Sequence, residues 1–382
     1  MPHLSPATPS AARRDEVLTA RALNRATIER QFLRERVSLG AIEAIEHLVG
    51  MQSLQPLAPY VGLWTRLEGF AAEELARATT ERQVVRAPMV RGTVHLVSAR
   101  DCLALRPVVQ PVLERATYGG SPFGRALTGL DEDTFLAAAR RELEAQPRTL
   151  DALGALLGKR WPDRDAASLA HCATHLLPVV QVPPRGVWGG HGQAMWTTVE
   201  SWLGRGLTKR PAVGPMVMRY LAAYGPATVM DVQAWCGLTG LHEVVDRLRP
   251  RLRTFRGEDG SELFDLPGAP RPDPETPAPP RFLPEYDNLL LSHADRSRVI
   301  REERTPSALP GNGAGGGSVL VDGMFAGFWR VDREREAATL LIEPLARLAS
   351  ADRNDLEAEA ERLVAFVAPD AERHDVAFAA EG

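Results

Sequence analysis

Val49-Gly50-Met51-Gln52-Ser53-Leu54-Gln55-Pro56, running straight into the apolar segment Leu57 to Leu67, is the stretch on which the reading turns. Upstream of it, Ala41, Ile42, Ile45, Leu48 and Val49 recur at helical spacing. Downstream, Pro56 and Pro59 suit a turn and an early helical position, and Tyr60, Leu63, Trp64 and Leu67 form one apolar face. Gln52 and Gln55 therefore fall at a loop-helix join. An amide there either caps helix ends and bonds backbone, or presents a group that both donates and accepts to something outside the chain.

Outward from this stretch, the pattern is helices followed by short extended pairs, three times over. Helices are expected at 15–36, 40–49, 56–68 and 73–78, and then VVRAPMV and TVHLV read as a ribbon bent at Arg91-Gly92. An exposed arginine beside a glycine that permits close backbone approach suits a phosphate. Further helices are expected at 98–115, 131–145 (with Asp131 as N-cap), 149–158 and 165–177. LPVVQV and GVW then flank the turn Pro183-Pro184-Arg185-Gly186. The third round has helices at 216–224, 228–235 and 241–248, followed by RLRTF, a GEDG turn and SELFDL.

The expected class is α+β, mostly α: a tail at 1–14 without order, tandem winged-helix units at 15–130, 131–209 and 210–266, a Pro-rich linker at 267–280, and a β-rich part at 281–382. In that last part, strands are expected at 288–291, 319–322, 325–331 and 338–342. GNGAGGGS (311–318) reads as a flexible loop, and a helix closes the chain at 357–367.

With 382 residues and 44% hydrophobic content, the chain has ample material for a core. No run is long and apolar enough for a membrane helix, and MPHLSPATPSAARR lacks the apolar stretch of a signal peptide, so a cytoplasmic protein without a membrane partner is expected. Cys102, Cys172 and Cys236 are odd in number and far apart, which argues against a disulfide framework. The net charge is −4, but nine acids against three arginines lie beyond position 350, leaving 42 basic and 40 acidic residues before it. A balance of +2 does not by itself point to a polyanion, which needs only a local basic face.

The motifs for several chemistries are missing. His171 and His175 have i, i+4 spacing, but there is no HExxH, no CxxC and no third ligand in sight, so no metal is expected. GNGAGGGS lacks the Lys and Ser/Thr ending of a phosphate loop, there is no GxSxG elbow, and no lysine stands near Gln52. Arg281, Asp287, His293, Arg296 and Arg298 form a polar cluster in RFLPEYDNLLLSHADRSRVI, either a salt-bridge set or a binding face.

LVGMQSLQPLAPYVGLWTRLEGF (48–70) and RGTVHLVSARDCLAL (91–105) resemble the AlkZ/YcaQ-type winged-helix DNA glycosylases. So do PPRGVWGGHGQA (183–194), YGPATVMDVQAWCGLTGL (224–241), RFLPEYDNLLLSHADRSRVI (281–300) and VLVDGMFAGFWR (319–330). The resemblance runs over roughly residues 15 to 345, and the order of the blocks is its most specific feature. It implies a monofunctional glycosylase that needs no cofactor and acts as a monomer on double-stranded DNA carrying alkylated purines, bulky adducts or crosslinks. The alternative is a winged-helix DNA-binding or regulatory protein without catalysis. The resemblance implies that two polar residues, separated by one aliphatic or small residue, carry base excision. Gln52 matches the first, Leu54 stands where the second belongs, and Gln55 is displaced by one. DNA contacts are expected at Arg91, Gly92, Thr93 and His95 of the first ribbon, at Arg185, and at Arg281, His293, Arg296 and Arg298. An amide can position a water but cannot protonate a base, so it suffices only for a leaving group that is already cationic, such as an N7-alkylated purine.

Overall fold

Caps set where many of the helices begin. In the computed structural model, which describes residues 16–119, 121–301, 316–334 and 336–379, Asp131, Thr149 and Asp165 each accept a backbone N–H from three residues on. The helices Glu132–Ala145, Leu150–Arg160 and Ala166–Leu176 start directly after them. Ser98 does the same for Ala99–Tyr118, and Thr228 completes a capping box with Asp231 at the start of Val229–Cys236.

The result is a mixed helix-and-sheet molecule, with three sheets among the described residues. One has the strand order Met51–Gln52, Val94–Ser98, Val84–Pro88, Val179–Val182, Met195–Thr198, and all its pairs are antiparallel. Its middle joint, Arg86 opposite Gln181, ties the first helices-then-ribbon segment to the second. The hairpin Arg253–Gly257/Glu262–Asp265 takes Val17–Leu18 as a parallel third strand. The C-terminal sheet runs Arg373–Phe378, Ala337–Pro344, Met324–Arg333, Gly316–Val321, Arg281–Leu283, with Ser350–Val367 packed on it.

Two large cores meet at the opening stretch. Val49 packs with Val97, Val109, Tyr220, Tyr224 and Trp235 in one, whereas Leu48, Met51, Tyr60 and Leu63 pack with Phe282, Trp329, Leu340 and Leu363 in the other. Burying each such side chain stabilises by about 1.5–3 kcal/mol. The seam between the cores is therefore a stiff platform.

Several expected elements differ. The helix foreseen over 15–36 is a strand at Val17–Leu18 and a helix only over Ala20–Arg30, because Thr19 caps the helix start and Phe32, at φ 56°, turns the chain off just past its end. Asn288–Leu291 is a 3₁₀ turn rather than a strand, since the Asp287 carboxylate accepts the Leu289 N–H and closes a tight turn. GVW is not extended. Residues 183–190 are successive turns in which Val187 N–H donates to Pro184 O and Gly190 N–H to Val187 O. Of the GNGAGGGS loop, Gly316, Gly317 and Ser318 belong to a strand, and 311–315 lie outside the described residues, as does the expected tail at 1–14. Cys102, Cys172 and Cys236 are all buried. No helix among the described residues is long and apolar enough to cross a membrane.

Candidate active site

The chain leaves the helix Ala41–His47 through two residues with positive φ, Val49 at 57° and Gly50 at 95°. Gly50 is required twice over. A Cβ there would sit 2.7 Å from Val97 Cγ1, and the backbone shape itself disfavours any other residue. This reversal lays Met51 and Gln52 along the sheet edge, opposite Leu96 and His95. Gln52 is buried at 7% exposure, whereas Leu54 is 43% exposed and Gln55 is exposed too. The two amides are thus parted: Gln52 faces the interior and Gln55 does not.

Arg91 is the group that fixes Gln52. It sits at φ 57° in the turn Val90–Gly92 with its guanidinium directed inward. Nη2 donates to Gln52 Oε1 at 2.8 Å and to Asn288 Oδ1 at 2.9 Å, and Nη1 donates to the Trp235 carbonyl at 2.8 Å. Asn288 in turn donates to Gly50 O at 3.1 Å, closing a ring through the backbone that precedes Gln52. Burial pulls the Arg91 pKa down to about 10, so it stays charged at neutral pH. With its carbonyl engaged by Arg91, Gln52 has its amino group and one carbonyl lone pair free. A small cavity beside it, offering about 10 Å³ to the centre of a water, is also bordered by Gln31, Arg66, Tyr224, Asp287 and Asn288. That is about the least space that holds one water. Asp287 borders it with a buried side chain, its Oδ1 accepting from Arg66 Nη2 and Leu289 N, each at 2.9 Å.

A second, open cavity of about 470 Å³ lies along the same two chain segments, with Pro284 bordering both. Gln55, Leu57, Arg185, His191, Glu285 and Trp329 are among its walls. Among the described residues no lysine lines either cavity.

Most of the residues expected at a DNA face are buried or half-buried. Arg91 is not an exposed ribbon arginine, because it holds Gln52. His95 is fully buried, with Nδ1 donating to Thr93 O at 3.0 Å, and burial pushes its pKa down to about 3, the Arg91 charge adding to this. Gly92, at φ 73°, and Thr93, whose hydroxyl donates to Val90 O, are half-buried within the same turn. Arg281 is buried because it donates to the Leu33 and Arg34 carbonyls beyond the first helix, and it is ion-paired with Glu359. His293 is buried against the Tyr224 carbonyl, and Arg298 against Pro226 O and Asp231. These side chains serve unpaired carbonyls at chain breaks, which interior backbone demands. Arg296 stays on the surface, and Arg185 sits at the open cavity. The His171 and His175 rings lie 4.2 Å apart, tilted to one another, and His171 also lies 4.0 Å from the Phe123 ring. Among the described residues no three His, Cys, Asp or Glu gather as a metal site.

Two residues escaped the sequence reading. Asn288 was read as a strand residue and Glu285 was not singled out. The available signal was that both flank Asp287 in PEYDN, a dense polar run inside an apolar block.

The site thus joins a buried amide, held by the Arg91 guanidinium, to a water-sized cavity next to an open pocket. The chain belongs to the AlkZ-like family of DNA glycosylases, which it matches over residues 45–366, and it is a DNA glycosylase. It is 24% identical over 338 residues to an interstrand DNA cross-link repair glycosylase of Streptomyces sahachiroi, covering 80% of this chain and 86% of that one. Its fold is similar to the structure of the Streptomyces sahachiroi DNA glycosylase AlkZ, with a TM-score of 0.76 and 19% identity over 95% of this chain and all of the other.

Proposed function

We propose that this glycosylase is monofunctional and removes N7-alkylated purines, bulky adducts and crosslinks included, from double-stranded DNA, acting as a cytoplasmic monomer without a cofactor. One observation carries the reading: Gln52 is oriented by Arg91 beside a cavity fit for one water, which no lysine borders among the described residues. A lyase would need an amine to form a Schiff base. Departure of a cationic base leaves an oxocarbenium-like sugar, and what remains for the protein is to hold a water against it. The Gln52 amide N–H suits that task, the Gln52 carbonyl and the neighbouring Asp287 carboxylate can accept hydrogen bonds from the water, and the proton released as the new C–O bond forms can pass to Asp287. The crosslink-repair name of the Streptomyces relative supports bulky and bridged substrates. Hairpins that follow helices three times, at Val84–Ser98, Val179–Thr198 and Arg253–Asp265, support tandem winged-helix units at 15–130, 131–209 and 210–266, joined by 267–280 to a C-terminal part at 281–382.

The test is base release from a duplex carrying a single N7-methylguanine, measured against spontaneous loss. Gln52→Ala should lose at least about tenfold in the rate while duplex affinity holds, because water positioning acts in the transition state. Tight binding by the native protein with no release would instead make it a DNA-binding module, and an equal loss of binding and release in the variant would make Gln52 a structural residue.

A further inference from the structure

The 470 Å³ cavity beside the Gln52 site is of a size that takes a small ligand, and it contains an unspent group. Glu285 is 6% exposed, yet its Oε1 is buried with no hydrogen-bond partner. Buried carboxylate oxygens are normally satisfied, so an orphan lining an open cavity marks a place where something else binds. Its surroundings fit a nucleotide. Leu57 and Trp329 supply apolar wall, and Arg185 lines the same cavity with a cation suited to a phosphate. The cavity and the Gln52 site are built from the same two segments, 50–61 and 284–288. A glycosylase must take its target base out of the stack into a pocket adjoining its catalytic group.

We propose that this cavity receives the extruded alkylpurine and that Glu285 reads its Watson–Crick edge as guanine. The assignment rests on the N7-alkylpurine reading above and adds which purine is taken and by which residue. Guanine presents two donors side by side, N1–H and the 2-amino group, and a carboxylate presents two acceptors at matching spacing. Adenine presents N1 as an acceptor, which a carboxylate repels. Alkylation at N7 places a positive charge on the base, so the same carboxylate favours the damaged guanine over the intact one. Burial holds the Glu285 carboxyl's pKa above its usual range, against a hydrogen bond from Gln55, and an entering cation favours the ionised form.

Calorimetric titration of the full-length protein with three nucleosides tests this directly. The probes are 7-methylguanosine, 7-methylinosine (which lacks only the 2-amino group) and guanosine (which lacks the charge). Native protein should bind 7-methylguanosine about tenfold more tightly than either of the others, the scale expected for one lost bidentate partner or charge. Glu285→Gln, nearly isosteric and checked by its melting temperature, should flatten that preference. Equal affinities in the native protein, no binding of any probe, or a preference that survives in Glu285→Gln would each overturn the assignment. The two readings fail separately. A protein that shows the nucleoside preference but releases no base from N7-methylguanine DNA refutes the glycosylase substrate reading and keeps the pocket. One that releases the base but binds all three nucleosides alike keeps the first and refutes the second.

Discussion

Replacing Arg91 with alanine separates a residue that orders the Gln52 site from one that grips DNA. In the structure its guanidinium serves three acceptors at once: Gln52 Oε1, Asn288 Oδ1 and Trp235 O, at 2.8, 2.9 and 2.8 Å. Each acceptor left buried without a donor costs about 1–3 kcal/mol. The sum overstates the loss, since removing a buried charge also lifts its desolvation penalty and water can enter the space vacated. The net destabilisation should be about 2–4 kcal/mol, read from urea unfolding followed by circular dichroism at unchanged m-value. Excision should fall further than stability predicts, because a Gln52 without its anchor rotates freely and no longer holds one water geometry. Single-turnover release of N7-methylguanine, measured where the variant is folded, should drop by about 100-fold, with Asn288→Ala dropping less. A phosphate-gripping arginine gives the opposite signature: stability nearly intact, and the slope of log affinity against log salt reduced by about one. Finding that pattern would refute the anchoring role and return Arg91 to the DNA surface.

Gln55→Ala should impair excision less than Gln52→Ala, because Gln55 is exposed and borders the open cavity instead of the water-sized one; comparison of the two rates on N7-methylguanine DNA decides it. Leu54→Gln should raise release of N7-methylguanine by restoring the family's second polar residue, and at 43% exposure it should change stability by no more than about 0.5 kcal/mol. Gly50→Ala should lower the urea midpoint and abolish activity together, since its Cβ would stand 2.7 Å from Val97 Cγ1 at a φ of 95°. Stability should also fall as pH drops. Burial holds His47, His95, His171, His175 and His293 below the ordinary value of 6.5, with His95 and His293 at about 3 and His171 at about 4. The unfolded chain then binds more protons than the folded one below pH 6.5, so stability present above that pH is lost progressively toward pH 3. Urea midpoints that stay level from pH 7 to 4 would contradict it.

What was legible in the sequence was whatever local chemistry decides. Asp131, Thr149 and Asp165 announce helix starts because a side-chain oxygen satisfies a free N–H wherever the fold puts it. Ribbon segments such as VVRAPMV and SELFDL were equally visible, being β-branched or alternating stretches between turns. The errors arose where distant partners overrule local preference. Val17–Leu18 is a strand only because Arg253–Gly257, over 230 residues on, offers it an edge. Asn288–Leu291 is apolar enough for a strand, but one carboxylate bond from Asp287 bends it into a turn.

The polar residues were the hardest to read, for a related physical reason. An arginine in a sequence looks like a surface charge, because burying one costs several kcal/mol unless its donors are met. This chain meets them repeatedly with backbone carbonyls: Arg281 with those of Leu33 and Arg34, Arg298 with that of Pro226, Arg91 with that of Trp235. Such carbonyls appear only once the chain is folded, so no spacing rule reveals them. The same fact bears on Leu54. If two polar side chains were needed only to hold the first amide in line, losing the second at position 54 would be fatal. Here Arg91 and Asn288 hold Gln52 from the other side, out of sequence register and through the backbone of Gly50. A site braced in that way keeps its first amide in line beside an apolar residue at position 54, so a polar group put there by Leu54→Gln is expected to act on substrate and not on Gln52.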